Sequence, residues 1–349
     1  MTLSDNDIRA VRAHAQLLTV PAADVLAVAR SVAAIQAQST PAARLAIRAR
    51  GRGLTAPDVD GSRAVARTWL MRKTLHLVPT ADLRWLNRLF GPRNVQAGQG
   101  RRTQLGLTGE LCERALVTLQ DLLPSKALTR HQLLDGLATD GIALDARSQA
   151  PAHLLAYAAN RGLLCRGRDD GTEPTYVLLD EWATTEDHTP DEPHAELAHR
   201  YLTAYGVATA EDFGAWSGLP LGLCRKAFAA LDLVPAGHGF ALAETGLSAP
   251  PCPPRLLGAF DTYLLGYRDR ELLLDQAEAK RVNSGGGMIA PTVLVDGRIA
   301  GTWHTKRTAK RTNVVVEPFA TLPRSAIDGL ESEVDDYGRF LGEAAVLVI

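Results

Sequence analysis

Aromatic residues make up only 5% of this 349-residue chain. So few aromatics argue against a large β-sandwich, since β-rich folds draw on aromatic and β-branched side chains. Nor does any run of them outline a cage for stacking on a ligand. Cysteine is equally sparse. Cys112, Cys165, Cys224 and Cys252 stand alone with no Cys-x-x-Cys pair, which disfavours zinc and iron–sulfur sites. Buried free thiols in a reducing compartment are the expected state, and no metal or other cofactor is expected. No apolar run is long enough to span a bilayer and no secretory signal is present, so a cytoplasmic protein without a membrane partner is expected. The formal net charge is −1, which rules out a global basic signature.

Hydrophobic residues are abundant, at 46%, so a substantial core is expected and global disorder is not. Alanine, leucine and arginine dominate, which favours helices, and the length suits two or more domains. The charges are segregated along the chain. Arg44, Arg48, Arg50 and Arg52 form one basic cluster, Arg63, Arg67, Arg72 and Lys73 a second, and Lys306, Arg307, Lys310 and Arg311 a third. The acids collect over 180–196 and 328–336. A nucleic-acid binder of near-zero net charge needs such segregation, although each cluster can equally be a solvated face.

The stretch Ala33-Ala34-Ile35-Gln36-Ala37-Gln38-Ser39-Thr40-Pro41 organises the N-terminal region. Val25, Val28, Val32 and Ile35 recur at helical spacing, so a helix is expected over 22–35. Thr40-Pro41 reads as an N-cap followed by proline at the first helical position, opening a helix to about Arg50. The two glutamines then fall in the break between helices. Residues two apart on a helix face different ways, but in an extended break they face the same way. Two neutral amides can thus converge on one point, offering two carbonyl acceptors and two amide donors. The plain alternative makes both amides helix caps or exposed surface.

Three blocks carry a resemblance. Gln36-Ala37-Gln38 is followed by Arg44-Leu45-Ala46-Ile47-Arg48 and by the run from Arg67 to Val78, RTWLMRKTLHLV. The third block runs from Phe260 to Arg270, FDTYLLGYRDR. Together they resemble the AlkZ family of winged-helix DNA glycosylases with a Gln-x-Gln catalytic motif, and the resemblance extends over nearly the whole chain. Related proteins that unhook crosslinks carry an acidic residue at the motif's second position, so Gln38 points to the AlkZ side. Members of that side are often self-resistance enzymes of antibiotic producers.

The chain order fits this resemblance. The expected architecture is mainly α with β (α+β): three tandem winged-helix units plus a small C-terminal β-rich domain. Residues 1–123 form the first unit, with the Gln-x-Gln break and a helical extension whose two helices flank a loop at Gly98-Gln99-Gly100-Arg101-Arg102. Residues 124–190 form the second, where Thr129 caps a helix and a strand at 163–166 turns through Asp169-Asp170-Gly171. Residues 191–250 form the third, with Thr209 as a cap and a turn at Ser217-Gly218-Leu219-Pro220. Four prolines between Pro250 and Pro254 mark the boundary to 251–349, where Asp296-Gly297 signals a hairpin.

The resemblance implies that Gln36 and Gln38 are catalytic and that the partner is double-stranded DNA carrying an alkylated guanine. An N7-alkylguanine is cationic and already a good leaving group, so the bond breaks through an oxocarbenium-like sugar. An enzyme then needs to stabilise that cation and place a water behind it, without protonating the base. We assign the sugar to Gln36 and the water to Gln38, the reverse order fitting as well. No lysine adjoins the break, so Schiff-base lyase chemistry is not expected and the glycosylase reads as monofunctional. Scarce aromatics suggest a shallow cleft that accepts bulky adducts, including interstrand crosslinks, without a closed pocket for a flipped base.

His76 faces away from Leu75 and Leu77 on an expected strand, either lining the lesion cleft or bonded to backbone as a structural residue. Asp261 and Asp269 belong with Arg268 and Arg270 to a charged constellation, read first as an internal salt-bridge network and second as active-site lining. For DNA contact the candidates are Arg44, Arg48 and Arg50 beyond the break, Arg101 and Arg102 at the expected loop, and Lys306, Arg307, Lys310 and Arg311 at a hairpin tip. The competing function is a non-enzymatic winged-helix transcription regulator. Helix 148–160 carries only His153, with Arg147 before it, and helix 221–231 carries Arg225 and Lys226. That is thin for base readout. No dimerising coiled coil is evident, and a monomer is expected.

Overall fold

The computed structural model describes residues 3–184 and 188–349. Glu186 and Asp187 of the acidic run expected over 180–196 lie outside the described residues. Helices and antiparallel strands are mixed along the chain, as expected for α+β. The chain divides into two compact units, one formed by Met1–Val59 with His194–Ile349, the other by Asp60–Pro193. The N-terminal segment therefore joins the C-terminal half, whereas the expected first unit continued to residue 123.

In the discontinuous unit, the helix Asp5–Ala15 opens with a complete capping box between Ser4 and Asp7. Its Ile8 and Val11 pack with Val207, Ala236 and Ala241 in one apolar cluster. Some of the chain's few aromatics cluster in this unit. Tyr201 stacks on Tyr205 at 4.7 Å between ring centroids and lies within 5.3 Å of both Phe213 and Trp216. They fill a core, and their offset and tilted geometry is the one aromatic pairs prefer. Helices Ala210–Ser217 and Leu221–Ala229 lead into the antiparallel pair Leu233–Ala236 and Gly239–Leu242.

A five-stranded sheet completes the unit, in the order Ala345–Val348, Thr312–Pro318, Arg298–Arg307, Thr292–Val295, Arg255–Leu257. The first pair is parallel and the rest antiparallel. The turn between Val295 and Arg298 has positive φ at both Asp296 and Gly297, the conformation a two-residue hairpin demands. Thr312, Val314 and Val316 alternate inward, and the two valines meet Leu330, Val334 and Tyr337 of the helix Arg324–Leu341.

The second unit is built on a sheet with strand order Leu75–Pro79, Val65–Trp69, Leu164–Arg166, Thr175–Leu178, Leu128–Thr129, antiparallel throughout. Its core gathers Leu119, Leu133, Leu154, Leu155 and Leu164. The helix Leu83–Gln104 runs unbroken for 22 residues. It passes straight through the stretch expected as a loop at 98–102.

Candidate functional site

The helix before the glutamine pair is shorter than expected, Val25–Ser31. Ala33 adopts a left-handed φ of 61°, which ends the helix and throws the chain into the extended pair Ile35–Gln36. Ser39, not Thr40, is the N-cap of the next helix, Thr40–Arg48, and its hydroxyl accepts from Ala42 N at 3.4 Å. Burial alternates through the break. Ile35 and Ala37 are 1% and 0% exposed, whereas Gln36 is half-buried and Gln38 exposed. The extended pair ends at Gln36, and Gln38 follows in a bend before the next helix. Gln36 Oε1 is enclosed by protein and accepts no hydrogen bond among the described residues. Such an acceptor costs about 1–3 kcal/mol and calls for an explanation.

Two expected DNA contacts are corrected. Arg48 is 2% exposed and Arg50 0% exposed, so neither presents its charge to a phosphate. Arg48 donates to Glu333 at 2.8 Å and Asp336 at 2.9 Å, and also to the Leu256 carbonyl at 2.7 Å. Burial alone would raise the Glu333 carboxyl, but Arg48 and Arg255 beside it hold it below its ordinary value. Arg50 forms a bidentate pair with Asp261, Nη2 to Oδ1 at 2.7 Å and Nη1 to Oδ2 at 2.9 Å. It also donates to Gln16 Oε1 and the Ala46 carbonyl. Asp261 in turn caps the short helix Thr262–Leu265 through Tyr263 N. Asp261 is thus buried structural wiring, not active-site lining.

Asp269 is exposed, and its Oδ1 accepts from Glu271 N. It lines a concavity of about 1050 Å³ with Arg9, Arg12, Asp212, Arg268 and Arg270. Neither glutamine lines that space, and its five arginines face five acids, so it carries no net sign. Arg44 is half-buried on the helix Thr40–Arg48. At the hairpin tip Lys306, Arg307, Lys310 and Arg311 are all exposed. Thr308 closes that tip by donating through its hydroxyl to the Arg311 carbonyl at 2.7 Å, and Arg307 pairs with Glu343 at 2.9 Å.

In the second unit His76 is 1% exposed, and its Nδ1 lies 3.0 Å from the Thr74 carbonyl. Burial, reinforced by nearby Arg72, pushes its pKa down to about 3, so the ring is neutral at physiological pH. A ring so enclosed is a structural histidine and does not line an open cleft. Arg101 and Arg102 sit on the last turn of the helix Leu83–Gln104, not on a flexible tip. Arg101 donates to Gln149 at 2.8 Å; Arg102 donates to the Val95 carbonyl and lies 4.6 Å over the Tyr157 ring. The four cysteines are free and buried, and among the described residues no group of three or more potential ligands could hold a metal ion.

Sequence reasoning missed Glu333, the counter-charge of Arg48, because nothing local links positions 285 apart.

The family described as DNA glycosylase AlkZ-like matches residues 9–340. The interstrand DNA cross-link repair glycosylase of Streptomyces sahachiroi is 29% identical over 336 residues, which is 88% of this chain and 88% of that protein. The solved structure of the Streptomyces sahachiroi DNA glycosylase AlkZ matches with a TM-score of 0.80 at 26% identity, covering 100% of both chains. With the match spanning residues 9–340, the chain belongs to the AlkZ-like DNA glycosylase family.

Proposed function

We propose that this protein hydrolyses the N-glycosidic bond of cationic N7-alkylguanine in duplex DNA. It acts as a monofunctional glycosylase and a monomer, and bulky natural-product adducts or interstrand crosslinks are among its substrates. Family membership favours an enzyme over a transcription regulator, which would leave the glycosidic bond intact. The repeated order of helices and short hairpins over 124–190 and 191–250 supports reading these stretches as winged-helix modules.

The observation that carries the reading is the Gln-x-Gln pair in the break between helices, where Gln36 Oε1 has no donor among the described residues. A carbonyl dipole in a low-dielectric setting stabilises a positive charge that develops beside it more strongly than it would in water. An oxocarbenium-like sugar supplies that charge. The exposed Gln38 amide, two residues on, is suited to hold the attacking water. A carboxylate would stabilise the cation more strongly; a neutral pair suffices when the base leaves unaided, which matches a substrate already charged at N7. Arg44 and the exposed tip with Lys306, Arg307, Lys310 and Arg311 supply phosphate contacts in this reading.

The test is a panel of duplexes carrying simple and bulky N7-guanine adducts, with strand cleavage read after alkaline treatment. Gln36→Ala should lower single-turnover excision on the order of 100-fold, and Gln38→Ala should also lower it, with duplex affinity nearly unchanged. Full turnover in both variants would overturn the site, and intact glycosidic bonds across the whole panel would overturn the function.

A further inference from the structure

A second cavity, of about 460 Å³, lies in the unit Asp60–Pro193. Its volume falls within the range of small-ligand pockets. Among the described residues three cations line it, Arg63, Lys126 and Arg168, against one carboxylate, Glu181. The way these charges are held sets the site apart from an ordinary basic surface. Both oxygens of Glu181 accept from Ser125 N at 2.9 Å, so its charge is turned to the backbone. Arg63 is oriented by a carbonyl, donating to Glu181 O at 2.7 Å, and its guanidinium lies 4.8 Å over the Trp182 ring. Arg168 is oriented likewise by the Gly61 carbonyl. Lys126 donates no side-chain hydrogen bond among the described residues.

Carbonyls fix a guanidinium in place without neutralising it. The two arginines are therefore pre-positioned with their charge unspent, and Lys126 adds a mobile third. A planar fork plus an ammonium suits the tetrahedral oxygens of a phosphate. The concavity of about 1050 Å³ differs in this respect, because its arginines are matched by an equal number of acids. We propose that the pocket bounded by Arg63, Lys126 and Arg168 is a phosphate-binding site, taking either a backbone phosphodiester of duplex DNA or free phosphate. The first source rests on the DNA-glycosylase reading above, and the second does not.

Two assays on the full chain decide it. In the first, inorganic phosphate is titrated against chloride at matched ionic strength and the thermal midpoint is read. Phosphate should raise the midpoint of the wild type, and Arg63→Gln/Arg168→Gln should abolish that rise. In the second, undamaged duplex affinity is measured by anisotropy between 50 and 200 mM salt. Losing one phosphate contact should shrink the change in affinity across that interval by about 3-fold, from a slope of about 0.9 per contact. A change in the DNA assay alone assigns a backbone phosphodiester; a change in the phosphate assay alone assigns free phosphate. No change in either overturns the proposal. Should the double variant fail to fold, Lys126→Gln, which breaks no side-chain hydrogen bond among the described residues, is read in both assays and should show a smaller loss in the same direction. A wild type that binds no duplex would sink the DNA-repair reading, and the phosphate assay would still decide this site.

Discussion

Replacing Asp261 by alanine removes the carboxylate that neutralises Arg50. The guanidinium is 0% exposed and donates to both oxygens, at 2.7 and 2.9 Å. The remaining acceptors, Gln16 Oε1, the Ala46 carbonyl and Thr262 Oγ1 at 2.9, 3.0 and 3.2 Å, are neutral, so the variant leaves a buried, uncompensated charge. Breaking a buried pair from one side costs about 3–5 kcal/mol. The lost cap at Tyr263 N adds about 1 kcal/mol. For a unit of this size, their sum of about 4–6 kcal/mol lowers the thermal midpoint by roughly 8–24 °C. Differential scanning calorimetry at neutral pH reads that shift. Asp261→Asn, which keeps the cap acceptor but not the charge, should fall between alanine and wild type. Arg50→Met combined with Asp261→Leu should recover most of the loss, because the pair is replaced by apolar groups of similar volume. A midpoint drop of under 2 °C for Asp261→Ala would refute the reasoning.

Two buried groups give the units separate responses to acid. The folded pKa of Glu333 lies below its ordinary value of 4.5, so its contribution is full above 4.5 and is lost as pH falls through the folded value. Glu333→Gln should therefore lower the midpoint of the discontinuous unit at neutral pH and flatten its decline below pH 4.5, as seen by urea denaturation across pH. His76 behaves differently, being held neutral with a folded pKa of about 3 against 6.5 in the open chain. Between those values the unfolded state binds the extra proton, so stability of the second unit climbs with pH across that window. Hydrogen exchange of the strand Leu75–Pro79 should report that slope, and His76→Gln should flatten it; an unchanged slope would show that the ring does not set it.

Local chemistry was well written in the sequence. Ser4 with Asp7, Thr129 with Gln132 and Thr209 with Asp212 each form a capping box. The Asp296-Gly297 turn and the Gln-x-Gln break also stand where the residues placed them. Two features were not legible because their causes are distant. Arg48 and Arg50 look like surface cations beside Arg44 and Arg52. Their counter-charges, Glu333 and Asp261, are 285 and 211 positions away. The helix Leu83–Gln104 contains Pro92 and three glycines, which argue for a break on propensity alone. Tertiary packing wins here. A Cβ at Gly91 would come within 2.3 Å of the Asn160 carbonyl, so glycine there permits the close approach of the helix Ala150–Asn160.

The discontinuous unit has a consequence for biosynthesis. The segment with both glutamines leaves the ribosome early, yet the carboxylates that accommodate Arg48 and Arg50 are made after residue 260. Until those acids emerge, a nascent chain cannot enclose the two arginines without stranding charge in an apolar interior. A prematurely terminated chain thus holds the Gln-x-Gln motif without the acids that neutralise the arginines following it.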